Sequence, residues 1–449
     1  MNAMKKRANT ALLMGAIALF GLQTAWAGIP IEHWTQPGGA QVYLVQSPAI
    51  PMVDVELDFD AGSRRDPPAQ AGLAGITASM ASNGLLATGG DPALDENALG
   101  EAWADLGASF GASVSNDRMS FSLRSLSDPD LLASAVALAA RELAAPAFPP
   151  DVWRRDRERI AAALKEASTR PATLAERAFS RAVYGRHPYG FELTAATLAR
   201  IDVADMKALY ASRIAACRAK VSIVGAVTRA QADALVSQLL ARLPQRACDP
   251  LPAVPEVEPL ARADEQRIAF DSAQAHVLIG QPGYKRDDPD FFALTVGNYI
   301  LGGGGFVSRL STEVREKRGL SYSVYSYFAP GLHAGAFTLG LQTRPDQAAQ
   351  AVQVAREVVR RFVAEGPSAE ELKAARDFLV GGFALRIDSN RKLLENVANI
   401  AWNKLPLDYL DTWTRQVEQV TVADIRAAFA RKLQPDRMVT VVVGGAPGL

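Results

Sequence analysis

Histidine and cysteine are scarce in this chain, with four and two among 449 residues. The histidines, His33, His187, His276 and His333, are far apart, and none lies one helical turn from another. A helical His-His metal motif is therefore excluded, and any metal would have to be gathered from distant residues. Neither cysteine has a histidine nearby in sequence, which argues against a thiol nucleophile. Excess charge is also missing, because 48 basic side chains balance 48 acidic ones. Nucleic-acid binders and polybasic membrane-surface proteins both need a basic face, so neither class fits. Past the first residues, no stretch is long and apolar enough to span a bilayer.

What is present begins with a three-part leader. Lys5, Lys6 and Arg7 precede an apolar run from Ala11 to Leu22, and Ala25-Trp26-Ala27 supplies small residues where a signal peptidase reads. Residues 1–27 read as a signal peptide, with an uncleaved anchor helix as the alternative, and the mature chain is expected to start at Gly28. The expected location is the bacterial periplasm or outside the cell, with no membrane span left after cleavage. In such an oxidising compartment the pair Cys217 and Cys248 invites a disulfide. Cys217 precedes the apolar strand "KVSIVG" and Cys248 follows the next helix, so a strand-helix unit can bring them together; two free buried thiols are the alternative.

The chain is also written twice. "VADMKALYASRIAACRAKVSIVGAV" from Val203 aligns without a gap on "VADIRAAFARKLQPDRMVTVVVGGA" from Val422, so that Gly225 falls on Gly444. Upstream, Phe121, Leu123, Pro129, Asp130, Ala135 and Val136 match Phe337, Leu339, Pro345, Asp346, Ala351 and Val352. The period is far too long for a solenoid and implies a duplicated domain. Period-two runs such as "VYLVQSP" and "VDVELDF" read as half-buried strands, and helical spacing follows Pro-Asp at 129 and 345. The fold class is therefore α+β: two homologous domains, 28–242 and 267–449, each an antiparallel-rich sheet with helices packed on one face. The proline-rich stretch from Leu243 to Gln266 joins them and is a natural place for a hinge.

Two segments carry a more specific signal. "AGSRRDPPAQAGLAG" resembles the approach to the inverted zinc motif H-x-x-E-H in the pitrilysin, insulinase and mitochondrial processing peptidase family of zinc metallopeptidases. "GGGGFVSRLSTEVREKRGLSYSVYSYF" resembles the signature of that family's second domain, and "HPYG" at His187 fits as well. The resemblance covers nearly all of the mature chain and implies a LuxS/metallopeptidase-like fold. At the metal the departure is complete. Gly75, Ala78 and Ser79 stand where the family has His, Glu and His, and none can hold zinc strongly or move a proton near neutral pH. The later helix offers Glu158 and Glu166 near the third ligand's place, where they read as surface charges on an amphipathic helix. No cofactor is expected in this chain.

In active members of the family an Arg and a Tyr bind the substrate backbone and help stabilise the oxyanion. The resemblance carries these roles to Arg315 and Tyr322 in "REKRGLSY". Ser308 reads as an N-cap and Gly319 as the C′ residue of a helix whose reversal brings the pair together, with "LSYSVYSYF" as the strand that follows. The competing reading makes Arg315 one charge among Glu313, Glu316, Lys317 and Arg318 on a wet face, and Tyr322 one of three strand tyrosines. Gly302, Gly303, Gly304 and Gly305 lack the Lys-Ser/Thr of a phosphate loop. They resemble the flexible glycine-rich loop with which the family's non-catalytic subunits contact substrate; a tight turn before the helix is the alternative. Together the resemblance implies a non-catalytic subunit of a heterodimeric zinc peptidase. Its partner would be a homologous H-x-x-E-H-bearing chain that holds the zinc, and its substrate an unfolded peptide. A scaffold or peptide-binding protein without a role in hydrolysis is the rival expectation.

Overall fold

A computed structural model describes residues 28–245 and 247–445, so the leader at 1–27 lies outside the described residues. The first half holds β1 (Glu32–Thr35), β2 (Gln41–Gln46), β3 (Met52–Phe59), β4 (Ser109–Val114), β5 (Met119–Leu126) and β6 (Lys220–Gly225). The second holds β7 (Asp264–Ile268), β8 (Ala275–Pro282), β9 (Val324–Phe328), β10 (Ala336–Thr343) and β11 (Val439–Val443). The strand orders are β1-β2-β6-β3-β5-β4 and β7-β11-β8-β10-β9. With β1 set aside, β2 to β6 map one-to-one onto β7 to β11. Each sheet has one parallel pair, β2 with β6 and β7 with β11, and is otherwise antiparallel.

Residues matched in the sequence occupy matched places. Phe121 on β5 and Phe337 on β10 are both fully buried. Helices Val203–Arg213 and Val422–Lys432 each start with a capping box, Asp202/Asp205 and Thr421/Asp424. Gly225 and Gly444 each pass close to the start of the neighbouring strand. A Cβ would come within 2.3 Å of the Met52 carbonyl oxygen in the first half and 2.7 Å of Ala275 Cα in the second.

Helices cover one face of each sheet from within its own half. The other face is covered by a helix that the opposite half contributes: Pro171–Tyr184 lies across β8 and β11, and Asn390–Asn403 across β2, β3 and β6. These two exchanged contacts differ in chemistry. Ala175, Phe179 and Val183 meet Val439, Val441 and Val443 in an apolar seam. The other seam is charged, because the period-two pattern of β3 sends Val53, Val55, Leu57 and Phe59 into the first core and Asp54, Glu56 and Asp58 to the opposite face. The Arg118 guanidinium reaches Asp58 at 2.8 Å and Glu56 at 3.6 Å. Lys220 Nζ donates to the carbonyl oxygens of Ala401 and Trp402 at 2.8 and 3.2 Å, where the C-terminal end of helix Asn390–Asn403 favours a cation.

Burial, and then the adjacent Asp58 charge, push the Glu56 carboxyl up to about 8. Burial raises Asp58 too, against the pull of Arg118. A carboxyl raised on folding contributes its full stability below its unfolded value near 4.5 and loses that contribution as the pH rises through 8. Lys220, pushed down to about 8 chiefly by burial, stays protonated in both states over most of that window and adds little slope. Wild type is therefore expected to lose stability between pH 5 and 8 relative to Glu56→Gln, by on the order of 2 kcal/mol. Urea titrations of both proteins at the two pH values measure it, and parallel pH profiles would count against the assignment.

The joining segment is strapped down. From Pro244 to Ala263 its described residues form no helix or strand, and the last three residues expected in the linker, Asp264 to Gln266, belong to β7. Cys248 is bridged to Cys217, with Cα atoms 6.0 Å apart. Further along, Arg65 donates to the Pro252 carbonyl, and His187 Nε2 lies 3.0 Å from the Pro255 carbonyl oxygen. Glu256 pairs with Lys285 and His333, each at 3.0 Å.

Candidate functional site

The loop "AGSRRDPPAQ" is a scaffold for the helix behind it. Arg64 and Arg65 both bind the Asp60 carboxylate, at 2.7 and 2.6 Å, and Arg64 also reaches Asp117 at 3.0 Å. Asp66 accepts from the backbone N–H groups of Gly72 and Ala74 at 2.9 and 3.0 Å, which caps helix Leu73–Ala81. Its burial outweighs those bonds and raises the carboxyl to about 6. On the helix, Gly75 and Ser79 are exposed one turn apart, and Ala78 is 3% exposed. A Cβ on Gly75 would meet nothing within 4 Å. The face has room at Gly75, and the one ligand atom among the three side chains is the Ser79 hydroxyl oxygen, a weak donor to zinc. Glu158 and Glu166 are exposed on helix Pro150–Ala167. Among the described residues, no group of three or more His, Cys, Asp or Glu side chains could hold a metal.

The second segment places its polar pair side by side. Ser308 ends the glycine turn with extended backbone and caps the helix that follows, Thr312 N–H bonding its carbonyl at 3.0 Å. From Ser311 to Glu316 the helix is wound in π fashion. Such winding needs an inserted residue and recurs at functional sites. Gly319, at φ +61°, returns the chain, with its N–H on the Arg315 carbonyl and Leu320 N–H on the Val314 carbonyl. Strand β9 starts only at Val324, so Tyr322 sits in the bend before it and not within the strand. It is 81% exposed, and the Arg315 guanidinium carbon lies 5.4 Å from its ring centroid.

The neighbouring charges separate themselves from Arg315. Lys317 and Arg318 both bond the Glu313 carboxylate at 2.7 Å. Among the described residues, Arg315 has no such acceptor; its guanidinium instead stacks 4.3 Å from the Phe306 ring. Tyr325 and Tyr327 belong to β9 and stack on each other, apart from this cluster in role.

Three of the four glycines are packed: Gly302 and Gly303 end a π-wound segment, Tyr299–Gly303, and Gly304 turns out of it, while Gly305 stands in open space. A Cβ at Gly302 would lie 2.4 Å from Ser326 Oγ, at Gly303 2.8 Å from Asn298 Nδ2, and at Gly304 2.7 Å from the Tyr299 carbonyl oxygen. Gly305, at φ +62°, is the one whose conformation favours glycine. The turn leads into Phe306, 64% exposed against Arg315, and Val307, 76% exposed beside Arg309, Thr312 and Glu313. Sequence reasoning missed both, having read "FV" only as the absence of a phosphate-loop lysine; two large apolar residues directly after a glycine run were the available signal.

Comparison with known proteins identifies the family and the fold. The insulinase family, peptidase family M16, matches residues 41–197, and the peptidase M16 inactive domain matches 200–379. The crystal structure of a peptidase M16 inactive domain from Pseudomonas fluorescens superposes with a TM-score of 0.87. It is 34% identical, covering 93% of this chain and 98% of that one. The chain belongs to peptidase family M16. Another M16-like relative, the non-peptidase homologue YmxG of Helicobacter pylori, is 26% identical over 390 residues, 84% of this chain and 85% of the relative. An uncharacterized zinc protease of Streptomyces coelicolor is 33% identical over 179 residues, a stretch spanning 39% of this chain and only 38% of the relative. This M16 chain is thus similar to proteins described as an inactive domain and a non-peptidase homologue, and its own positions 75, 78 and 79 are Gly, Ala and Ser.

The histidines do not repair that loss. His187 and His333 come together in space, ring centroids 5.1 Å apart, although 146 residues separate them. Both ring nitrogens of His187 are engaged, Nδ1 accepting from Tyr189 N–H and Nε2 beside the Pro255 carbonyl, and burial lowers its pKa. It holds backbone and linker. His33 stacks on Tyr43 at 4.4 Å, and His276 lies on β8. What the Arg315–Tyr322 cluster can offer chemically is hydrogen-bond donation, from the guanidinium fork and from the phenol.

Proposed function

We propose that this chain is the non-catalytic, substrate-binding subunit of a heterodimeric, periplasmic zinc peptidase that cleaves unfolded peptides. A homologous partner bearing H-x-x-E-H holds the zinc and the water. This chain forms the facing wall and lends Arg315 and Tyr322 to the partner's site, where they bind the scissile carbonyl. The single observation behind the reading is a combination: a capped helix with Gly, Ala and Ser at the ligand positions, in the same chain as an Arg-Tyr pair whose guanidinium has no carboxylate partner among the described residues. Donors aimed at a developing oxyanion in a water-poor cleft are each worth about 3 kcal/mol. That is a reason to keep them after the metal ligands are gone.

The second reading is a scaffold or peptide-binding protein with no part in hydrolysis. It is favoured by the name of the relative that aligns over 84% of this chain, a non-peptidase homologue. The two readings part in one experiment. The purified chain is expected to cleave no peptide and to carry no stoichiometric zinc, and a mixture with an H-x-x-E-H-bearing homologue is expected to cleave. Cleavage by the lone chain would overturn the proposal. An active mixture that is indifferent to substitution at Arg315 and Tyr322 would favour the scaffold.

A further inference from the structure

We infer that Asn298 is a positioning residue for Arg315: it clasps the glycine turn that leads into the Arg315 helix to the strand that follows Tyr322, and so holds the guanidinium beside the phenol. The inference rests on the substrate-binding reading above and adds to that site a residue that acts through another. Asn298 ends helix Phe291–Asn298, yet its side chain does not cap the π-wound segment that comes next. Both of its amide atoms go instead to one residue of β9. Nδ2 donates to the Ser326 carbonyl oxygen at 3.0 Å, and Oδ1 accepts from Ser326 Oγ at 2.8 Å. Ser326 is 2% exposed, so its hydroxyl has no water to fall back on. Strand β9 is the outer strand of its sheet and pairs with β10 alone. The clasp gives it a second hold.

The same contact passes on to the Arg315 helix. Gly302 lies so near both sides that an added Cβ would stand 2.4 Å from Ser326 Oγ and 2.7 Å from Leu310 Cδ1. Leu310 is fully buried just ahead of the π-wound turn Ser311–Glu316. A packed path therefore runs from β9 through Gly302 and Leu310 to Arg315, while Tyr322 lies just ahead of Val324, where β9 begins. The path closes where the guanidinium carbon meets the Tyr322 ring at 5.4 Å. Independently, Arg309 holds the helix to Glu371 at 2.6 Å, so loss of the clasp should shift the helix without freeing it. A shift of about 1 Å in a positioned group can cost up to about 100-fold in rate.

The test is steady-state cleavage of a fluorogenic peptide by the full chain mixed with an H-x-x-E-H-bearing homologue. Asn298→Ala and Ser326→Ala are each made in the wild-type chain and in Arg315→Ala. Ser326→Ala removes one hydroxyl and no backbone bond, so it should fold even if Asn298→Ala does not. With Arg315 present, each is expected to lower kcat about tenfold and to change KM by less than about twofold. In the Arg315→Ala chain, each should change kcat by less than about twofold, because the donor that they position is already gone. A fall of equal size in both backgrounds, which misfolding would also give, overturns the inference and leaves the substrate-binding reading standing. So does an unchanged kcat in both. Arg315→Ala that leaves kcat at the wild-type value, or a wild-type mixture that does not cleave, overturns that reading and this inference together.

Discussion

In the proposed two-chain peptidase, Arg315→Ala is expected to lower kcat by about 100-fold with a much smaller change in KM. Among the described residues the guanidinium makes no ion pair that folding would miss, and it sits on Phe306 and Tyr322, so the variant should fold normally. What disappears is a donor positioned for the oxygen on which charge develops, which acts mainly in the transition state. Lys317 and Arg318 cannot substitute, because both are bound to Glu313. Arg315→Lys should recover only part of the loss, since an ammonium provides the charge but not the planar fork. Steady-state kinetics on a fluorogenic peptide, at equal concentrations of both subunits, measures the effect. Wild-type kcat in the Arg315→Ala complex would remove the catalytic role.

The largest effect on stability should come from Phe179→Ala, at about 3 to 5 kcal/mol. Phe179 belongs to helix Pro171–Tyr184 of the first half but packs on the second sheet with Val439, Val441 and Val443. Its ring occupies space that Gly280 leaves open; a Cβ there would stand 2.7 Å from Phe179 Cζ. The strands below cannot close over the cavity, because Gly280 pairs with both Thr338 on β10 and Val439 on β11. Truncation therefore empties a seam between the halves that has no route to collapse. A fall in the urea midpoint at unchanged slope would show it. A loss under about 1 kcal/mol would mean that the exchanged helix contributes little to holding the halves together.

The duplication and the fold class could be read from the chain because each depends on spacing within it, whereas positions 75, 78 and 79 were marked by the resemblance of the segment before them. Residues 121 and 337 are offset by 216 and residues 203 and 422 by 219, nearly the same distance. The meeting of Arg315 and Tyr322 was also legible, since Gly319 can adopt the left-handed turn that brings the ends together. Features set by partners distant in sequence were not. The amphipathic helices 171–184 and 390–403 announce a buried face without saying which sheet buries it. Asp54, Glu56 and Asp58 look like the wet side of a strand, yet Asp58 is fully buried under a helix more than 300 residues away. His187 and His333 meet only because the turn after β9 folds beside the loop after helix Pro171–Tyr184. The stacking of Phe306 on Arg315 needed the π-wound helix, whose register no apolar period reveals.

The division of labour between two chains is tested most directly by titration. Peptide cleavage by a fixed amount of the H-x-x-E-H-bearing subunit is followed as this chain is added. The account predicts activity that climbs and levels off at one molecule of this chain per zinc. A rate that stays flat across the whole titration would contradict it.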